Sequence, residues 1–408
     1  MDTTNLFAAA LNLPEPWFVS AVEFKDTKDG FKELHIEVSF ARGSKFSCPE
    51  CDSIVSVYDT SPRTWRHLNF FQYKTYIHAD LPRVQCPEHG VKTVKVPWAR
   101  EGSGFTLLFE SWVVELAKHL PVKTIADMVD EYDTRLWRFI KYYVDEARKK
   151  EDYSKVDAIG IDETSKKGHN YITVVVDLSR RKVIFVTEGK DSATVDRFVV
   201  DFLAHHGNKE KIKIVTCDMS LGFKKGIQES FVNSNTIIDK FHVIKHANEA
   251  VDTVRKEEAK TNDLLKKTKY LWLKNEANLT EHQKEKKQSL LKLHLKTARA
   301  YAMRVELQNI YESAIDRSDA DSRLKKLCSW MMHSRLDPMK KLVGTIQDHW
   351  NEILNYFDYK FTNAILEGIN SIIQNIKCRA RGFSNNEYFK TMIYLRCGKL
   401  DLQATNIA

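Results

Sequence analysis

Four cysteine and histidine side chains have the spacing of a zinc site. The tetrapeptide Cys-Pro-Glu-Cys at residues 48–51 recurs as Cys-Pro-Glu-His at residues 86–89. A two-residue gap lets both ligands of a tight knuckle reach one ion, and two knuckles complete a tetrahedral Zn²⁺ shell. Because four protein ligands leave no open position, we expect a structural Zn²⁺ bound by Cys48, Cys51, Cys86 and His89. The alternative is two unrelated turns that contain free cysteines.

Two carboxylates are placed to bind a harder metal. Asp162 follows the extended run Val156–Ile161, and Asp218 follows the run Lys211–Thr216 and Cys217. An open sheet places its site at the carboxyl ends of its strands. Carboxylate oxygens suit Mg²⁺ or Mn²⁺, which also accept phosphate oxygens. The sequence therefore predicts a divalent-cation site suited to phosphoryl chemistry.

A third carboxylate would allow two ions, about 3.5–4 Å apart, to clamp an in-line phosphoryl displacement. The candidate is Glu367, which shares one predicted helical face with Asn363 and Asn370. An exposed helix would explain the same polar stripe. The spacing alone therefore leaves the role of Glu367 open.

The elements that position Asp162 and Asp218 follow a definite order. Extended runs rich in β-branched residues lie at 156–161, 171–177 and 182–188. A helical segment at 193–205 separates them from the strand that leads to Asp218. Three consecutive strands, a helix and a fourth strand are the order of an RNase H-like sheet. The first and fourth strands are neighbours in that order, so the two carboxylates can share a cation.

Residues 105–150 have the periodicity of three helices. Pro121 ends the first helix, the second covers 122–129, and the third begins near Thr134. Two helices joined by a short turn are the outline of a helix-turn-helix, although a plain three-helix bundle has the same periodicity. We favour the DNA-binding interpretation because the zinc motif precedes these helices. The outer side of the third helix carries Arg135, Arg138 and Lys141.

Positive charge is concentrated late in the chain. The 408 residues carry a net charge of +8, and residues 245–300 hold 14 basic against 8 acidic side chains. Residues 377–400 hold 6 basic side chains and one acidic one. Solvated helical faces would also produce such runs, but both could neutralise DNA phosphates. In the second run we expect DNA contacts from Lys377, Arg379 and Arg381.

Composition argues against secretion and membrane insertion. No apolar stretch approaches the roughly 18 residues of a membrane span, and no basic region leads an apolar core at the N-terminus. Seven cysteines, an odd number, do not fit a closed disulfide framework. We therefore expect a cytoplasmic protein without a membrane partner.

The chain resembles DDE transposases of bacterial insertion sequences, specifically the ISL family numbered three. The resemblance covers nearly the whole chain and rests on the order of several motifs. These are CPEC…CPEH, the helix-turn-helix, AIGIDE around Asp162, VTCDMS around Asp218, DKFHVIKHANEAVDTVR from Asp239, and TNAILEGINSIIQNIKCRARGFSNNEYF around Glu367.

The resemblance implies a catalytic triad of Asp162, Asp218 and Glu367. It also implies that the long helical stretch between the last two is an all-α insertion. An acid-x-x-His element follows the second Asp in related transposases, and Asp239 and His242 match it, which would place His242 near the scissile phosphate. Many members close the zinc site with a fourth Cys, whereas this chain has His89, also a competent zinc ligand.

We therefore expect a multidomain α+β protein with an RNase H-like α/β core. The expected parts are an N-terminal segment at 1–39, a zinc-binding domain at 40–98, a helix-turn-helix domain at 99–150, the first part of the core at 151–244, a helical insertion at 245–355, and the rest of the core with basic C-terminal helices at 356–408.

The implied function is that of an insertion-sequence transposase. It would bind terminal inverted repeats in double-stranded DNA and use Mg²⁺ or Mn²⁺ for cleavage and strand transfer. Paired ends imply a homodimer or a larger assembly on the bacterial nucleoid. Two alternatives share much of this pattern: a transposase-derived DNA-binding regulator without catalysis, and an RNase H-like structure-specific nuclease. The three carboxylates argue against the regulator, and the nuclease would not require paired ends.

Overall fold

The computed structural model describes residues 3–167, 170–360 and 364–402. The chain divides into two compact units. The first unit contains the residues up to Lys149, Arg379–Leu395 and the segment from Leu400, and the second contains Lys150–Cys378 and Arg396–Lys399. Residues near both ends of the chain therefore belong to the same unit.

The first unit begins with a mixed β-sheet. Its elements are α1 (Thr3–Leu11), β1 (Trp17–Asp26), β2 (Lys32–Phe40), β3 (Lys45–Ser47), β4 (Ile54–Phe70), β5 (Tyr73–Cys86) and β6 (Gly90–Thr93). The strand order is β1-β2-β5-β4-β3, and β6 pairs with β5. Strand β2 buries Leu34, Ile36 and Val38, as the alternation of a half-buried strand requires. The alternating stretches at 54–58 and 73–78, which lie between the two zinc tetrapeptides, form parts of the longer β4 and β5.

Three helices follow, as the periodicity predicts: α2 (Leu107–Ala117), α3 (Val122–Val129) and α4 (Asp133–Lys149). Pro121 is the N-cap of α3, and Asp130 ends α3 in the left-handed conformation. Helix α4 buries Leu136, Ile140 and Val144, which recur at the four-residue spacing of one helical face.

A buried carboxylate connects two of these helices to the loop before them. Glu110 of α2 is fully buried. Its oxygens accept hydrogen bonds from Arg100 Nη2 (3.0 Å), Ser103 Oγ (2.6 Å) and Tyr143 Oη (2.7 Å) of α4. A buried charge is tolerated only when it is paired and hydrogen-bonded in this way. The network therefore fixes α2 against α4.

The second unit begins with the predicted RNase H-like sheet. Its elements are β7 (Ala158–Lys167), β8 (Asn170–Asp177), β9 (Lys182–Glu188), α5 (Ser192–Ala204), β10 (Ile214–Cys217), α6 (Leu221–Ser230) and β11 (Asn235–Ile238). The strand order is β11-β10-β7-β8-β9. Strand β8 is antiparallel to both β7 and β9, whereas β10 pairs in parallel with both β7 and β11. The prediction that the first and fourth strands are adjacent is confirmed, since β7 pairs with β10.

Helices make up most of the chain between this sheet and Glu367. They are α7 (Lys240–Glu258), α8 (Lys269–Leu273), α9 (Glu281–Leu291), α10 (Lys296–Ser313), α11 (Arg317–Met332), α12 (Asp337–Asp348) and α13 (Trp350–Tyr359). One continuous apolar core joins the sheet to these helices and includes Val215, Val251 and Leu307. The amide of Asn355 on α13 also donates to the Thr236 carbonyl of β11 (2.8 Å). The helical region is therefore packed on the sheet.

The last two helices are α14 (Ala364–Arg379) and α15 (Asn386–Cys397). Helix α14 approaches β7 so closely that a methyl group at Gly160 would lie 2.7 Å from Leu366 Cδ1 and 3.0 Å from Thr216 Oγ1. A larger residue at this point of β7 would therefore force the neighbouring side chains to shift. In the first unit, Tyr388 of α15 stacks on Trp137 of α4 with ring centroids 4.2 Å apart.

We expect Gly160→Ala to lower the free energy of unfolding by about 1–3 kcal/mol, because the added methyl group overpacks the β7–α14 contact. The matched control is Gly344→Ala. Gly344 is an exposed position of α12, and nothing lies within 4 Å of the added methyl group. That change should stabilise the protein by up to about 1 kcal/mol through helix propensity. Urea denaturation measures both variants, and equal behaviour would contradict the close approach.

Candidate active site and zinc centre

Adjacent parallel strands bring Asp162 and Asp218 to one edge of the sheet. Thr216 of β10 lies opposite Gly160 of β7, so the residues two positions further along each strand are Asp218 and Asp162. Burial raises the pKa of Asp162, and the negative charge of Asp218 acts in the same direction. Both side chains are half-buried. The structure thus brings these two carboxylates together, as the strand order predicts.

Both oxygens of Asp162 are held by hydrogen bonds. Asn370 Nδ2 of α14 donates to Oδ2 (2.6 Å), and the backbone N–H of Glu163 donates to Oδ1 (2.8 Å). One helical turn later, Gln374 Nε2 donates to Thr164 Oγ1 of β7 (2.6 Å). The hydrogen bonds from Asn370 and Gln374 together fix the register of α14 along β7.

In the sequence, Asn370 belongs to a polar stripe with no evident role, and no pattern singles out Gln374. The i+4 spacing of the two amides was the available signal. Asn363, the other residue of the predicted stripe, lies outside the described residues.

Glu367 lies in the first turn of α14, three residues before Asn370, and is exposed. Partial burial raises its pKa, as do the carboxylates of Asp239 and Asp162, whereas His242 and Lys240 lower it. These groups therefore lie within electrostatic reach of Glu367. In the described ranges, the ligand atoms of Asp162, Asp218 and Glu367 are not all close enough to one another to form a compact three-ligand cluster.

His242 is placed by the N-terminus of α7. Asp239 caps this helix by accepting from the Phe241 N–H (3.1 Å), and its second oxygen lies 3.3 Å from His242 Nδ1. Asp239 raises the pKa of His242, and the charges of Asp162 and Asp218 contribute in the same direction. Protonated His242 is thus a cation beside a group of carboxylates.

The four predicted zinc ligands lie together in the first unit. Their ligand atoms all lie within 4.8 Å of one another. Cys51 Sγ and Cys86 Sγ are 3.6 Å apart, and His89 Nδ1 is 3.6 Å from Cys86 Sγ and 3.9 Å from Cys48 Sγ. A tetrahedral Zn²⁺ with ordinary bond lengths has S–S edges of about 3.8 Å and S–N edges of about 3.5 Å. The donor set therefore fits Zn²⁺ in both type and spacing.

The local turn favours the thiolate form of Cys51. Hydrogen bonds from the side chain and backbone of Ser53 lower the pKa of Cys51 to about 6. The Cys48 N–H donates to the Ser53 carbonyl (2.9 Å), and the Asp52 N–H donates to the Cys48 carbonyl (3.0 Å). These bonds close a knuckle that directs both thiols to the same point.

The predicted DNA-binding side chains of α4 differ in their availability. Arg135 pairs with Glu131 and lies over the Phe105 ring at 4.5 Å. Lys141 Nζ forms an ion pair with Asp145 Oδ2 at 2.8 Å. Arg138 is exposed and forms no ion pair with any residue that the structure describes. It is the member of the three that is free to contact phosphate.

The basic residues near the end of α14 are also partly available. Lys377 is half-buried on α14. Arg379 is exposed at the end of the helix, and Arg381 is exposed in the turn that follows.

Comparisons with known proteins give one consistent result. A family model described as a transposase, the DDE domain of the ISL3 type, matches residues 159–393. The helix-turn-helix domain of transposase family ISL3 matches 94–144, and the zinc finger of the transposases of IS204, IS1001, IS1096 and IS1165 matches 44–89.

Whole-length relatives agree with these domains. The transposase for insertion sequence element IS1557 of Mycobacterium tuberculosis is 26% identical over 94% of this chain and 93% of its own length. The transposase for IS1001 of Bordetella parapertussis is 26% identical over 84% of this chain and 86% of its own length.

We expect Cys51→Ser to release zinc and to destabilise the sheet of the first unit, because a structural metal contributes its binding energy to folding. Zinc content of the purified protein and thermal unfolding followed by circular dichroism measure the two effects. Cys378→Ser is the matched control, since Cys378 is an exposed free cysteine outside the cluster. Stoichiometric zinc retained by Cys51→Ser would contradict the ligand assignment.

Proposed function

This chain belongs to transposase family ISL3 and is a transposase of an insertion sequence; from this premise we propose that Asp162, Asp218 and Glu367 hold the divalent cations of its DNA-cleaving site. The observation that carries the proposal is the bond from Asn370 to Asp162, because it ties the helix of Glu367 to the strand of Asp162. Mg²⁺ or Mn²⁺ bound there would activate the attacking oxygen and stabilise the leaving one.

The surrounding residues prepare this site. The bonds to both oxygens of Asp162 hold its carboxylate in one orientation before substrate binds. Such preorganisation lowers the barrier because nothing has to reorient during the reaction. Asp239 raises the pKa of His242, and His242 in its protonated form would donate a hydrogen bond to a non-bridging oxygen of the scissile phosphate.

The proposed reaction has two steps. Water attacks the phosphorus at the end of the element, the bond to the 3′ oxygen breaks, and a 3′-OH and a 5′-phosphate are released. That 3′-OH then attacks a phosphodiester of the target, whose own 3′ oxygen leaves. The second step exchanges one phosphodiester for another and therefore needs no external energy source.

The remaining predicted parts supply the DNA contacts. We propose that the zinc domain and the helix-turn-helix bind the terminal inverted repeats, and that Arg138, Arg379 and Arg381 contact phosphates. In this proposal the zinc-binding domain spans residues 40–98 and the helix-turn-helix domain spans residues 99–150. Two DNA ends have to be processed together, which favours a homodimer or a larger assembly on the nucleoid. None of the helices in the described part of the chain has the length and apolar character of a membrane span.

We expect Asp162→Asn to reduce cleavage of a linear end fragment in Mg²⁺ by about a hundredfold to a thousandfold, as when a group that stabilises transition-state charge is removed. Asp196→Asn is the control, since Asp196 is an exposed acid on α5 away from the site. Denaturing gels measure nicking and strand transfer. A wild-type protein that binds the ends without cutting them would instead be the non-catalytic regulator.

We expect Arg138→Ala to weaken binding of an end fragment and to reduce the slope of log affinity against log salt by about one, because each lost phosphate contact releases one fewer counterion. Fluorescence anisotropy at several salt concentrations gives both quantities. Lys28→Ala is a charge-matched control in an exposed β-turn of the same unit. An unchanged slope for Arg138→Ala would remove this residue from the DNA interface.

A further inference from the structure

The helical region of the second unit contains a cavity that the proposed chemistry does not use. Its volume is about 490 Å³, within the roughly 300–1,000 Å³ of pockets that bind small organic groups. Its walls are the first two turns of α7, the segment that follows α8, and the last turns of α10. All three walls belong to one compact unit.

The α7 wall combines an aromatic ring with cations. Phe241 is 45% exposed, although large apolar side chains are usually buried. Lys240 lies 5.3 Å from the centre of its ring, and Lys245 follows on the same helical face. An exposed ring flanked by ammonium groups is suited to stacking on a base whose phosphate is neutralised nearby.

A buried cation holds two of the amides that line the cavity, those of Asn248 and Gln308. Arg304 is 2% exposed and donates to Asn248 Oδ1 (3.0 Å) and Gln308 Oε1 (2.6 Å). These bonds occupy the amide oxygen of Asn248 and leave its NH₂ group directed to other acceptors. Tyr311 also lines the cavity, but its hydroxyl is buried away from it, so only the rest of this side chain can face a ligand.

The wall after α8 adds a further cation and two amides. Lys274, Asn275 and Asn278 are all exposed and line the cavity. Against these cations the lining contains one carboxylate, that of Glu312. The cavity is therefore positively charged and rich in groups that hydrogen-bond to the edge of a base.

We propose that this cavity receives one unpaired nucleotide of the DNA, whose base stacks on Phe241 while the amides bind its edge and the lysines contact its phosphate. The proposal rests on the proposed function, because Lys240 and Phe241 lie between Asp239 and His242 in the chain. A nucleotide held there would lie next to the scissile phosphate. Unpairing a base costs a few kcal/mol, which contacts in the cavity would offset.

The test scans an end fragment by replacing one nucleotide at a time with an abasic site, and measures affinity with Ca²⁺ in place of Mg²⁺. We expect Phe241→Ala to weaken binding of the intact fragment about 5- to 100-fold, the range reported for loss of one stacked base. The same variant should have no effect on the fragment that is abasic at one particular position. Trp330→Ala, which removes another exposed aromatic ring of the helical region, should show no such coupling.

A second variant distinguishes loss of stacking from misfolding of α7. Asn275 lies on the opposite wall of the cavity, and Asn275→Ala should couple to the same nucleotide position. The proposal is overturned if neither variant couples to any position, or if both weaken all fragments equally. If the wild-type protein cuts in Mg²⁺ but no abasic position couples to the variants, the nucleotide-binding role of the cavity alone is contradicted. If the wild-type protein does not cut, the proposed function is contradicted.

Discussion

The contact between α14 and β7 is the constraint on which the proposed catalytic site depends. Asn370 and Asp162 are 208 residues apart in the chain, yet their side chains share a 2.6 Å hydrogen bond. The bond is possible because Gly160 has no side chain and Leu366 can pack directly on the strand. Glu367 follows Leu366, so its position is set by this packing rather than by its own hydrogen bonds. A small change in the packing would move the third carboxylate.

Electrostatics and packing act together at this edge of the sheet. Asp162, Asp218, Asp239 and Glu367 are like charges, and burial alone already raises the pKa of Asp162 and Glu367. Protonated His242 would offset part of this repulsion, and Asp239 favours that form by raising the pKa of His242. A site with excess negative charge and preoriented oxygens favours divalent cations. The same excess explains why positive side chains are needed nearby to admit a phosphate.

Local patterns predicted much of the fold and of the site. The zinc ligands followed from a repeated tetrapeptide, and the position of Asp218 beside Asp162 followed from the order of the strands. These inferences succeed because a knuckle is a short-range structure and because the RNase H-like order fixes which strands are neighbours. The role of Glu367 came from the family resemblance, since a polar stripe on a helix has several explanations.

Features that depend on tertiary contacts were not predictable in this way. The bond from Gln374 to Thr164 and the close packing at Gly160 arise only when α14 docks on β7. Arg135 has the same residue type and helix as Arg138, yet Glu131 and Phe105 hold it in place. The cavity beside Phe241 is formed by three segments that are distant in the chain. Sequence spacing carries no information about contacts between such distant segments.

The central claim is that α14 delivers Glu367 to the same metal site as Asp162 and Asp218. The most direct measurement is a Mn²⁺ titration of the zinc-loaded protein on an end fragment, followed by electron paramagnetic resonance. We expect two bound Mn²⁺ ions in the wild type, and in Glu367→Gln the loss of one of them or a clear loss of its affinity. The same stoichiometry and affinity in both proteins would contradict it.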